Sequence, residues 1–345
     1  MNIARPIRMP FETPPATGAV IEVAQGIFWA RMPLPMKLDH VNIYALADDD
    51  GWTLVDSGMN SGKSQRIMAD LLAGPLEHLP LKRVLVTHHH PDHVGLAGWL
   101  AQTYGAEVMM SRTAWLMARM LVLDVQESWP VETVEFYRRA GMDADILAAR
   151  LAERPFNFAD VVAPLALGFR RIEAGDVLHL ANRKWDVHFG HGHAPDHVTL
   201  WSRTDDIVIA GDQILPGISP NLGVYPTEPE ADSVGEWLES CTRLLPLARP
   251  DHLVLPGHKL PFTGLAARLE QLIDNHHGAL ARLRTHLREP ATAASCFMAL
   301  YGRSIEAGEY GLALVEAIGH LNHLHRLGEI SREPGADGAY RWHIC

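Results

Sequence analysis

Thr87-His88-His89-His90-Pro91-Asp92-His93-Val94-Gly95 is the stretch on which the fold turns. It holds H-x-H-x-D-H, four metal-ligating side chains within six residues. The run before it contains Val84-Leu85-Val86, which reads as a short buried strand. The run after it, Gly95 to Tyr104, reads as a helix. The cluster therefore falls on a loop at the C-terminal end of a strand, where open α/β sheets place their sites. In extended chain His88 and His90 share a side, because side chains alternate with period two. Asp92 and His93 follow the turn that Pro91 starts and reach a second point nearby. That arrangement suits two metal ions side by side.

A solvated histidine-rich loop would explain this run taken alone. Three other residues make it a poor account. His193 lies in Gly190-His191-Gly192-His193-Ala194-Pro195-Asp196-His197, between the strand-like runs Trp185–Phe189 and Val198–Ser202. Asp212 follows Ile207-Val208-Ile209-Ala210-Gly211, and His258 follows Leu253-Val254-Leu255-Pro256-Gly257. Each sits just past an apolar run, at the same end as the histidine loop. A motif gains weight from such context.

In this pattern the chain resembles the metallo-β-lactamase fold superfamily. Five motifs occur in order: Asp56 in Asp56-Ser57-Gly58, the H-x-H-x-D-H run, His193 in Gly-His-Ala-Pro, Asp212 in Gly-Asp, and His258 in Pro-Gly-His. The match covers about Gly18 to Phe262. It implies a four-layer αββα sandwich of class α/β. It also implies one metal on His88, His90 and His193, a second on Asp92, His93 and His258, and Asp212 bridging them. Asp56 supports the metal loop and is not a ligand. The full binuclear set resembles the glyoxalase II and lactonase branches, since zinc β-lactamases often use a cysteine at the second site.

A pair of cations lowers the pKa of a shared water to about 7 and polarises a carbonyl or phosphoryl oxygen. The expected reaction is therefore attack by a metal-bridging hydroxide, without a serine or cysteine nucleophile. Asp212 would hold the pair, and Asp92 or a metal-bound water would serve the leaving group. Two divalent ions are the expected cofactors. Zinc suits the histidine-rich set, and Fe or Mn suit N/O ligands as well.

Composition fits this reading. The chain has 345 residues, 47% hydrophobic and 21% charged, enough for one large domain and a smaller one. A net charge of −11 without a long basic run argues against a nucleic-acid or anionic-membrane surface. Cys241, Cys296 and Cys345 are odd in number and widely spaced, as expected of reduced thiols in a cytoplasmic protein. Residues 1–19 read as an N-terminal arm and not as a secretion signal.

The main domain is expected over residues 20–262. Val41–Leu46 and Trp52–Val55 flank Asp48-Asp49-Asp50-Gly51, a hairpin signal whose acids read as a solvated turn. Strands and helices alternate from there, which implies layers. Residues 111–168 interrupt the pattern as a helical insertion, with helices at Ser111–Leu123, Val131–Ala140 and Ala144–Arg154, the last capped by Asp143. Trp115 and Met120 on the first of these are expected substrate contacts, as is Tyr225, although apolar residues are more often core.

The tail, residues 263–345, reads as helices at Gly264–Arg288, Ala291–Tyr301 and Tyr310–Leu327, then a hairpin around Pro334–Gly338. That order resembles a small winged-helix domain. From Ala267 on, the tail has eight Arg, no Lys and nine acids. A nucleic-acid-binding winged helix carries a basic face, so a structural or oligomerising role is expected, with a homodimer through this domain as one form of it. His320, His323 and His325 share the third helix and read as surface or interface residues.

The leading functional expectation is a hydrolase of an ester, thioester or lactone with a small, mostly apolar acyl group. Gln213 to Pro226 holds no Lys or Arg to grip glutathione, and Pro216–Leu222 is apolar. The rivals are a metal-dependent endoribonuclease and a non-catalytic ligand sensor.

Overall fold

A computed structural model describes residues 6–345. The chain divides into two compact units, each discontinuous in sequence. The first takes residues up to 125, 157–220 and 246–268; the second takes 126–156, 221–245 and 269–345.

The first unit holds two sheets. One has seven strands in chain order: β1 (Ile21–Ala24), β2 (Ile27–Pro33), β3 (His40–Asp48), β4 (Gly51–Val55), β5 (Leu81–Leu85), β6 (Glu107–Ser111) and β7 (Arg170–Ile172). Pairing is antiparallel from β1 to β4 and parallel from β4 to β7. The other sheet has five strands: β8 (Val177–Leu180), β9 (Arg183–Gly190), β10 (His197–Ser202), β11 (Ile207–Gly211) and β12 (Leu253–Pro256). Its strands are antiparallel except for the β11–β12 pair, which is parallel.

Alternation along the strands builds two cores. In β3, Tyr44 and Leu46 join Trp29, Trp185, Val187, Leu200 and Ile209 in the core between the sheets. Val41, Ile43 and Ala45 of the same strand point the other way. There they meet Met68 and Leu71 of α1 (Gly62–Ala73) and Ala97 and Leu100 of α3 (Ala97–Tyr104). Both faces of the first sheet are therefore covered, which explains why its strands read as nearly continuous apolar runs. Between α1 and α3 lies the short α2 (Pro91–Val94), and after β6 comes α4 (Arg112–Leu123).

The β3–β4 hairpin forms where expected, with Asp48 opposite Gly51. Its acids are not merely solvated: the Arg83 guanidinium pairs with Asp48 at 3.1 Å and Asp50 at 2.6 Å. The N-terminal arm is strapped down at Arg8, which exchanges backbone hydrogen bonds with Thr263 at 3.2 and 2.9 Å. Residues 1–5 lie outside the described chain.

The second unit carries α5 (Val131–Arg139), α6 (Ala144–Leu151), α7 (Ser233–Leu244), most of α8 (Leu265–His286), α9 (Phe297–Tyr301), α10 (Tyr310–Arg326) and the hairpin β13 (Ile330–Pro334) and β14 (Tyr340–Ile344). Asp143 caps α6 through its side chain, as its position predicts. The second tail helix is shorter than expected. Ala291 exchanges backbone hydrogen bonds with Trp342 of β14, so the helix cannot begin there. His320 is buried and not a surface residue: its ring stacks on His276. All three cysteines are free. Among the described residues, no helix is long and apolar enough to cross a membrane.

Candidate metal centre

The site is built where β4, β5, β11 and β12 end. Asp56 follows β4 with φ +61°, a left-handed conformation that Asp tolerates better than most residues. Its carboxylate accepts the Thr87 N–H at 2.8 Å, the Thr87 hydroxyl, and His93 Nδ1–H at 2.8 Å. Pro91 opens α2 at its first position, where a missing N–H costs nothing. This helical turn, rather than a plain loop, carries Asp92 and His93. The Ser57 N–H and hydroxyl both donate to the His93 carbonyl, at 2.9 and 2.8 Å.

Seven side chains converge. His88, His90 and His193 form one group whose ligand atoms lie within 4.8 Å of each other. Asp92, His93 and His258 form another, and Asp212 joins His88 and His93 in a third. Asp212 Oδ2 lies 3.5 Å from His93 Nε2, 3.6 Å from His193 Nε2 and 3.1 Å from His258 Nε2. Donors around a tetrahedral ion with bonds of about 2.0 Å stand about 3.3 Å apart. The cluster has the spacing of a ligand shell.

The tautomers agree. His93 gives its Nδ1–H to Asp56, and His258 gives its Nδ1–H to the His40 carbonyl at 2.7 Å. His88 Nδ1 lies 3.0 Å from the Thr87 hydroxyl, whose own hydrogen goes to Asp56. Each ring therefore turns a bare Nε2 into the cluster, the arrangement that orients metal-binding histidines. His88 Nε2 faces His90 Nδ1 at 3.0 Å. Two lone pairs at that distance repel unless a cation or proton lies between them. His93 Nε2 and Asp212 Oδ1 are buried without a hydrogen-bond partner. The residues present fit a metal.

Electrostatics divide the site. Burial, then the neighbouring imidazoles, holds His88 and His90 well below the ordinary histidine value. At the carboxylate end burial opposes charge, but the ion pairs outweigh it. Asp212, Asp92 and Asp56 raise His93 well above its ordinary value. Asp212 and Asp92 push His258 up to about 10. His258 and His93 in turn hold Asp212 well below the usual carboxylate range.

Three supporting residues escaped the sequence reading. His197 stacks on His88, with centroids 4.5 Å apart at 24°, and its Nε2 accepts the Asp212 N–H at 3.1 Å. Gly211, at φ +50°, gives that ring its room: a Cβ would lie 2.5 Å from His197 Cε1. Asn42 of β3 donates to the carbonyls of Pro256 and Lys259, at 2.8 and 2.9 Å, and so fixes the His258 loop. His40 does the same through the Lys259 N–H. His197 was visible in its motif; Asn42 and His40 carried no signal. His89 stays out of the ligand groups, buried beside Phe158.

Of the expected substrate contacts, Trp115 stacks on Phe169 at 4.7 Å behind the first sheet. Met120 is 46% exposed and Tyr225 is 44% exposed. Tyr225 belongs to the second unit.

Comparison with known proteins agrees with the fold. Residues 36–258 match the metallo-β-lactamase superfamily, and residues 280–345 match the metallo-β-lactamase-like C-terminal domain. A β-lactamase domain protein from Burkholderia ambifaria superposes with a TM-score of 0.91 at 35% identity, covering 98% of each chain. A probable metallo-hydrolase, YqjP, from Bacillus subtilis is 26% identical over 86% of this chain and 92% of its own. The acyl-coenzyme A thioesterase MBLAC2 from Gallus gallus is 24% identical over 74% of this chain and 84% of its own. With a family match across most of the first unit and a histidine–aspartate cluster at its strand ends, the chain belongs to the metallo-β-lactamase superfamily.

Proposed function

We propose that the chain is a binuclear metal-dependent hydrolase of thioesters, with esters and lactones as related substrates. The observation that carries this reading is the position of Asp212 Oδ2, within 3.6 Å of histidines from both ligand groups. One carboxylate oxygen so placed suits a bridge between two ions. His88, His90 and His193 would hold one ion, and Asp92, His93 and His258 the other. Zinc is the favoured metal, because imidazole and carboxylate suit it. When bound, the ions supply a water of lowered pKa and Lewis acidity toward a carbonyl oxygen.

The residues themselves do the holding. Asp56 fixes His93 directly and His88 through Thr87. His40 and Asn42 fix the His258 loop, and His197 fixes the Asp212 backbone. Asp92, whose Oδ2 lies 3.3 Å from His258 Nε2, would relay a proton to a leaving thiolate or alkoxide. Two curated relatives favour thioesters: the acyl-coenzyme A thioesterase and a hydroxyacylglutathione hydrolase, GloC, from Haemophilus influenzae, 26% identical over 65% of this chain.

The test is a panel on zinc-loaded protein: acyl-coenzyme A, hydroxyacylglutathione, acyl lactones, an aryl ester, a β-lactam and single-stranded RNA. Thioester turnover at least tenfold above the rest, lost in Asp212→Ala, is expected. Turnover of RNA alone, or none with any substrate at two metals per chain, overturns the reading.

A further inference from the structure

His193 stands on the loop 191–196 that joins β9 to β10, whose last pair is Gly190 with His197. The strands fix the two ends of this loop. At its far end, the Val198 N–H donates to the Thr87 carbonyl at 2.8 Å, which ties β10 to the histidine motif. The turn between the strands still has to be held, because it decides where the His193 ring stands. That ring is edge-on to His90, with centroids 4.5 Å apart at 89°, and 5.1 Å from His88.

Asp196 fastens the turn twice. Its backbone N–H donates to His191 Nδ1 at 3.3 Å, across the loop. Its carboxylate Oδ2 accepts the hydroxyl of Thr113, 83 residues away in the first turn of α4. Both residues belong to the first unit. Ala114 and Ala118 are fully buried and seat α4 in the core outside the first sheet, so the Thr113 hydroxyl is a fixed point. The helix does not need that hydroxyl as a cap: Ser111 already accepts the Ala114 N–H, at 3.2 Å.

Asp196 also holds a left-handed backbone, with φ +48°. Glycine adopts that conformation freely, whereas an aspartate is strained there. Such strain persists where the surroundings over-determine it, and it gathers at functional sites. What aspartate brings to the position is a carboxylate, and that carboxylate is spent on Thr113. We propose that Thr113 and Asp196 form a latch that positions His193 and so sets the affinity of the His88, His90 and His193 group for its ion. The proposal rests on His193 being a metal ligand; it does not depend on the chain being a thioesterase.

Zinc titration of the full-length protein, in competition with a chelating dye, tests this. Thr113→Val keeps the side-chain shape and removes the hydroxyl. Asp196→Gly keeps the backbone angle and removes the carboxylate, so it serves if Thr113→Val does not fold. Each is expected to weaken one of the two zinc affinities about tenfold, as loss of a supporting partner does, and to leave the other unchanged. Thr113→Ser and Asp196→Asn keep a donor and an acceptor and are expected to stay close to wild type. In a His193→Ala background, Thr113→Val is expected to cause no further loss, because effects that run through one residue do not add. A merely structural bond gives a different pattern: a lower melting temperature with both zinc affinities unchanged, or a loss that adds to that of His193→Ala. Either result overturns the latch while the metal centre stands. Unchanged zinc binding in His193→Ala itself would overturn the ligand reading, and the latch with it.

Discussion

Gly257 stands against Asp212 so closely that a Cβ at its position would lie 2.1 Å from Asp212 Oδ1. The same Cβ would lie 2.8 Å from His93 Cε1. The Pro-Gly-His motif is thus a packing requirement: no side chain fits between the loop that carries His258 and the shared carboxylate. Gly257→Ala is expected to displace Asp212 by an ångström or so. Misplacement on that scale costs about a hundredfold in rate. Metal analysis and kinetics on the purified variant check it, and wild-type turnover in Gly257→Ala would refute the geometry.

Asp56→Asn is expected to weaken metal binding by about 10- to 100-fold, the usual cost of removing a partner behind a metal-binding histidine. The amide keeps the volume but loses the charge that orients His93 and Thr87. Competition with a chelating dye measures the affinity. An unchanged affinity would show that the loop holds its shape without the carboxylate.

His88 and His89 are adjacent and should behave in opposite ways. His88→Ala removes a ligand atom found in two of the three groups, and metal stoichiometry should fall below two per chain. His89→Ala should keep the metals and lose a few degrees of melting temperature, since its ring is buried beside Phe158. The reverse pattern would shift the ligand register by one residue.

The second unit should be acid-sensitive through His276 and His320. Their rings stack at 5.2 Å, with His276 Nδ1 and His320 Nε2 at 3.1 Å. Burial, then the neighbouring histidine, holds His276 down to about 3; burial holds His320 down to about 4. The unfolded chain takes up these protons near pH 6.5, while the folded chain resists them. Stability from the neutral pair is therefore fully present above about pH 6.5 and is lost as pH falls toward 4. Melting temperature followed from pH 7 to pH 4 is expected to drop less steeply in His276→Gln, which keeps a donor for His320 without titrating. Parallel curves would rule the pair out as a source of acid sensitivity.

The seven converging residues were legible in the sequence because their four motifs each follow an apolar run, and strand ends on one side of a sheet meet in space. Local signals also carried the β3–β4 hairpin, the Asp143 cap and the order of the tail. Pairings across long separations were not legible. His258 Nδ1 and the His40 carbonyl are 218 residues apart, and nothing local in β3 marks Asn42 as the clamp for that loop. The tail's second helix was misread for the same reason, since Ala291 is claimed by Trp342. His320 sits on a helix that looks amphipathic, but its partner His276 lies on another helix 44 residues away.

Asp56 has one further consequence. Its carboxylate holds His93 directly and reaches His88 through the Thr87 hydroxyl, so a single anion stiffens rings from both ligand groups. That anchoring rests on protein atoms alone, so the two rings have little freedom left to lose when a cation arrives. A chain without the Asp56 carboxylate would have to still both rings at the moment of binding.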